Sequence, residues 1–285
     1  MLIQRKNLVL SIIFTAILFA LYIPIIPEWL DDIISNENNQ HCMLIPFISL
    51  YIIFTKKNVL KEKLLKASDP KGSLILFILG LIIYFTGVVG GIIFFYQISL
   101  IFLLGGAVLY IFGKDVFKEL VFPLAYLIFI IPIPEAVYQA LSSPMKLFAS
   151  KASAELIRFT GIPVYREGVN LFFPYTSLEV VDACSGMRSL ITLLAISTAF
   201  AYFFQQSFIK RAVLILASFP IALFSNIIRI FFTGIIAHVL GPKYAHGIFH
   251  TILGTLVVIT IGFSLILFTN FILNHIRRRG IPRAV

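Results

Sequence analysis

Three residues of this 285-residue chain, Cys184, Arg229 and His250, are of the types that carry out covalent acyl transfer. The thiolate is the nucleophilic form of cysteine, and a neighbouring guanidinium lowers the thiol pKa so that more of that form exists near neutral pH. Histidine titrates near the working range and can return a proton to a departing amine. Arginine can donate hydrogen bonds to a carbonyl oxygen as negative charge develops on it. The three are spread over about 65 positions, so only the surrounding elements can bring them together.

Those elements are set by composition. Hydrophobic residues make up 59% of the chain and charged residues 13%, whereas a soluble surface needs roughly a quarter charged. The sequence therefore predicts an all-α fold: a polytopic transmembrane helical bundle of about eight spans, each of roughly 20 residues. One integral membrane domain over residues 1–285 is expected. The net charge of +10 is scattered through short loops rather than gathered in a basic stripe, which argues against a nucleic-acid partner and for topology signals. Cys42 and Cys184 are the two cysteines, too few for a disulfide framework or a thiolate metal site.

The apolar run from about Leu8 to Ile26 follows Arg5-Lys6 and is read as a retained first span, not a cleaved signal. Acidic residues follow it, and a lysine-rich connection holds Lys56, Lys57, Lys61, Lys63, Lys66 and Lys71. The positive-inside rule then puts the amino terminus in the cytoplasm, in an inner or cytoplasmic membrane. A short span is expected at about Met43 to Phe54. Residues 73–112 hold two spans, with Gly87, Gly90, Gly91 and Tyr96-Gln97 suiting a tight hairpin. A span from about Leu120 ends at Ile131-Pro132-Ile133-Pro134, where proline discourages further helix. Residues 135–183 form an extracytoplasmic segment. Its first half is read as an amphipathic helix on the membrane, with Val137, Leu141, Met145, Leu147, Ala152 and Leu156 near helical spacing. Its second half suits a hairpin or small structured cap. Three spans follow, at about 185–204, 212–237 and 251–271, with Lys210-Arg211 and Arg277-Arg278-Arg279 inside.

This topology puts Cys184 and His250 at the outer ends of the sixth and eighth spans. Arg229 lies about 27 Å along the seventh helix from its basic end, at the same outer depth. An ionisable residue in a membrane helix is a functional candidate because burying its charge is costly. Asn226, three positions earlier, shares its face. Competing readings remain open. Arg188, one turn after Cys184, rivals Arg229. His246 and His250 have metal-ligand spacing, so zinc with Cys184 is an alternative to the metal-free, cofactor-free site. Cys42 could pair with Cys184, which would silence a nucleophile.

The run Val181-Asp182-Ala183-Cys184-Ser185-Gly186-Met187-Arg188-Ser189, then Asn226-Ile227-Ile228-Arg229, then His250-Thr251-Ile252-Leu253-Gly254, resembles the exosortase/archaeosortase family of membrane cysteine transpeptidases in order and spacing. Similarity extends to Pro123, Ile131–Pro134, Gly161–Val164, Gly168 and Asn170. The resemblance implies cleavage of a carboxy-terminal sorting signal of the PEP-CTERM type on exported proteins: a short motif, a hydrophobic helix and a basic tail. The acyl group would pass through a thioester to an acceptor whose identity the sequence leaves open. Cys184 would be the nucleophile, Arg229 the electrostatic stabiliser and His250 the acid or base, with Asn226, Ser185, Gly186, Arg188 and Gly254 binding substrate or supporting them. The rival from another class is a non-catalytic membrane assembly or transport component for surface polysaccharide. A transporter would carry polar residues near the midplane, and a thiol oxidoreductase a Cys-x-x-Cys pair, which is absent.

Overall fold

The computed structural model describes residues 2–36, 38–64, 72–180, 186–241 and 248–279. It is an all-α polytopic membrane bundle with one small sheet, and it divides into two compact units, residues 1–134 and 135–285.

In the first unit, α1 (Leu2–Tyr22) and α2 (Ile26–Ser35) are followed by a 3-10 turn, α3 (Ile45–Thr55), α4 (Lys57–Leu64), α5 (Ser73–Gly90), α6 (Ile93–Phe112) and α7 (Lys114–Tyr126). Without a hydrophobic drive between helices in lipid, close packing depends on small residues. Gly87 serves that purpose: a Cβ there would stand 2.8 Å from the Tyr96 ring and 3.1 Å from its backbone nitrogen. Gly80 and Gly106 do the same against Leu103 and Phe77. Gly91, by contrast, has open space around it and ends α5 at φ 60°. The hairpin therefore turns at Gly91-Ile92, and Tyr96 and Gln97 belong to α6, with Gln97 2% exposed. Their polarity read as a turn because buried polar groups on a membrane helix look the same as loop residues in sequence.

A proline sets the basic end of this unit. Pro123 sits inside α7 and has no N–H to offer the carbonyl of Glu119 four residues back. Lys56 Nζ donates to that carbonyl at 2.9 Å and to Glu119 Oε2 at 2.8 Å, while Lys63 Nζ reaches Oε1 at 2.7 Å. Glu119 follows Lys114, Asp115 and Lys118 in the charged start of α7, outside its apolar part. The hydrogen bonds from Lys56 and Lys63 hold its carboxyl at about 2.

The second unit comprises α8 (Glu135–Phe159), strands β1 (Tyr165–Glu167), β2 (Asn170–Phe172) and β3 (Ser177–Glu179), then α9 (Met187–Phe204), α10 (Phe208–Leu240) and α11 (Ile248–Arg279). The strands form an antiparallel sheet, β1-β2-β3, so the cap is more regular than a hairpin. The helix α8 occupies the expected place, and its expected apolar face is exposed apart from half-buried Ala152 and buried Met145. Val137, Leu141, Leu147 and Leu156 are 38–49% exposed, whereas Ser142, Ala149, Ser150, Ser153, Ala154 and Ile157 are buried. Soluble amphipathicity hides large apolar side chains; in a membrane helix, small residues meet the neighbouring helix and large ones face lipid.

Four helices, α5, α6, α9 and α10, are each long and apolar enough to cross a membrane, and up to seven spans result if three bent helix pairs count as one each. These numbers refer to the described residues; in α11 the stretch Thr260–His275 is a shorter apolar helix.

Candidate active site

Helix α10 organises the region. Its Ile227, Ile230 and Phe231 meet a core of Ala149, Ala154 and Ile157 from α8 and Val164, Leu171, Phe173, Leu178 and Val180 from the cap. Ser153 Oγ donates to the Ile227 carbonyl at 3.1 Å, and Ser150 Oγ to the Gly168 carbonyl at 3.1 Å. At Gly234 a Cβ would stand 2.7 Å from Ile157 Cδ1 and 3.3 Å from Phe173 Cζ. The cap and α8 are thus pressed onto one face of α10.

Arg229 faces elsewhere. At about 100° per residue it lies roughly 160° around the helix from Ile227, and Asn226 lies about 100° away. Asn226 is fully buried. It packs against the start of α9, where Gly186 adopts φ 82°, a left-handed conformation that favours glycine. A Cβ on Gly186 would be 3.1 Å from Cβ, Cγ and Nδ2 of Asn226. The structure therefore brings together two of the expected supporting residues, one two positions after Cys184 and the other three before Arg229. Arg188 lies in the first turn of α9, half-buried as Arg229 is. The Nε of Arg229 is itself buried.

Cys184 and Ser185 lie outside the described residues, as does His246. His250 and Gly254 fall in the first two turns of α11, the side chain of His250 being outside the description. Helix α11 packs on both α9 and α10. Leu193 of α9 closes on Gly262, whose Cβ position is 3.0 Å from Leu193 Cδ1. At the basic end of α10, Gln205 Nε2 donates to Asn270 Oδ1 at 2.5 Å and to Asn274 Oδ1 at 3.2 Å, fixing α11 to the turn between α9 and α10. Cys42 is fully buried, its Sγ 3.6 Å from the Phe129 carbonyl. Among the described residues no three His, Cys, Asp or Glu side chains group as metal ligands; the zinc reading rests on Cys184, His246 and His250 and falls outside them.

Sequence reasoning missed Ser225. It is fully buried on α10, four residues before Arg229 and about 40° from it around the helix. The signal available was its seven-residue spacing from Ser218, which repeats a polar residue on one face of an apolar helix.

Together these features define a polytopic α-helical membrane protein in which α9 and α10 meet at Gly186 and Asn226 and α11 packs on both. The family model for transmembrane exosortases (Exosortase_EpsH) matches residues 29–269, and the chain belongs to that family. No curated protein and no solved structure matches it.

Proposed function

We propose that this chain is a membrane-embedded cysteine protease or transpeptidase that processes the carboxy-terminal sorting signal of exported proteins, with Cys184 as its nucleophile. Family membership supports the reading. The single structural observation that carries it is the contact of Gly186 with Asn226, which ties the chain two residues after Cys184 to the turn of α10 that bears Arg229.

In the proposed reaction the Cys184 thiolate attacks the scissile carbonyl, forming a C–S bond, and the guanidinium of Arg229 donates to the oxyanion. Collapse breaks the C–N bond, and His250 delivers a proton to the departing amine. The hydrophobic helix and basic tail leave, and the thioester is resolved by an acceptor nucleophile or water, which gives up its proton to His250. The site faces the outer side of the membrane, and the substrate is an exported protein ending in a short motif, an apolar helix and a basic tail.

The test is co-expression with such a tail-bearing protein, following its mass for wild type, Cys184→Ser, Arg229→Ala and His250→Ala, with each variant's membrane level measured alongside. Loss of processing in all three at normal levels is the expected result. Full processing with Cys184→Ser would return that residue to packing.

A further inference from the structure

Ser225 is fully buried, and its Oγ has no hydrogen-bond partner. A buried hydroxyl without a partner is unfavourable, and a helical serine has a ready remedy in the carbonyl three or four residues back. Other hydroxyls of α10 use it: Ser218 donates to the Ile215 carbonyl, and Thr233 to the Arg229 carbonyl at 2.9 Å. Ser225 does not, although Ile221 stands four residues before it.

Its position is as informative as its state. Ser225 is one turn below Arg229 and about 40° from it, on the side of α10 turned away from α8 and the cap. Helical side chains lean toward the amino terminus, so that of Arg229 extends over the turn holding Ser225 and Asn226. Asn226 meets Gly186 of α9, and α11 also packs on α10. The hydroxyl therefore lies one turn below Arg229, in surroundings where a charged partner would need its own counter-charge and a neutral dipole would not.

We infer that Ser225 is a substrate-binding residue, its hydroxyl hydrogen-bonding a backbone amide of the peptide segment that enters beside Arg229. The inference rests on the proposed transpeptidase reading for the nature of the ligand. Removing the hydroxyl relieves the empty protein of an unpartnered group while depriving the loaded protein of a contact, so binding and stability should move in opposite directions.

The experiment uses the full-length chain in lipid nanodiscs with Cys184→Ala, so that binding is read without turnover. The probe is a fluorescent synthetic peptide carrying the motif, apolar helix and basic tail of an exported protein from the same genome. Ser225→Ala should weaken binding about tenfold while its unfolding temperature stays equal or rises. Ser218→Ala, on the same face but with its hydroxyl bonded within the helix, should bind as the parent does. Equal affinity in Ser225→Ala, a parallel fall in stability and affinity, or no binding by the parent would each overturn the inference. If processing in cells survives Cys184→Ala while Ser225→Ala still weakens binding, the acyl-transfer reading falls and the Ser225 contact stands.

Discussion

Gly186 and Asn226 are packed so closely that a single added carbon on the glycine would meet three atoms of the asparagine side chain at 3.1 Å. The glycine is also left-handed, at φ 82°. Substituting Gly186→Ala meets both obstacles, of which the backbone conformation alone costs roughly 1–2 kcal/mol. A lower unfolding temperature in detergent and loss of tail processing are expected. Adding Asn226→Ala removes Cγ and Nδ2 but leaves Cβ and the backbone strain, so the double variant should remain destabilised.

The two arginines can be ranked by the same processing assay. Arg229→Ala should lower the rate by about 10²–10³-fold, the usual loss on removing an oxyanion donor. Arg229→Lys should recover only part, because an ammonium lacks the planar fork. Arg188→Ala should retain most of the activity; the reverse order would move the electrostatic role to the first turn of α9.

At Gly234 the cap, α8 and α10 converge. Gly234→Ala puts a carbon 2.7 Å from Ile157 Cδ1, and overpacking of this kind typically costs about 1–3 kcal/mol. Ile157→Val deletes the clashing Cδ1. The double variant should therefore be more stable than Gly234→Ala alone, as a thermal-unfolding cycle over the four proteins would register; strict additivity would mean that the contact is not the source of the loss.

The basic end of the first unit has its own pH signature. Glu119 is held at about 2, well below the usual carboxylate range, by hydrogen bonds from Lys56 and Lys63. A carboxylate depressed in the folded state contributes stability that is complete above about 4.5 and is lost as the pH falls through about 2. The difference in unfolding temperature between wild type and Glu119→Gln should be constant from pH 7 to about 5 and shrink as the pH falls toward 2. A difference unchanged at pH 3 would contradict this origin.

Much of this was written in the chain. The long apolar runs gave α5, α6, α9 and α10 within a few residues, whereas α11 runs on to Arg279, well past the expected end near Phe271. What escaped depended on neighbours distant in sequence. The side of α8 that meets protein escaped because periodicity marks the apolar face without saying what covers the other, and only the packing of Ser153 and Ile157 on α10 decides. Gln97 read as a turn residue for want of any sign that it would be buried. Ser225 escaped because a serine in an apolar helix ordinarily satisfies itself, and its failure to do so is visible only in three dimensions.

The outward Leu and Phe side chains of α8 also bear on how the protein can be handled. Val137, Leu141, Leu147 and Phe148 present a surface that water would not tolerate, on the same helix that carries the cap through Ile157 and Ser150. Residues 135–180 therefore should not behave as a detachable water-soluble domain. Cut free, the segment would need detergent or lipid to keep its sheet folded, so the bilayer serves as part of the scaffold for the strands as well as for the spans.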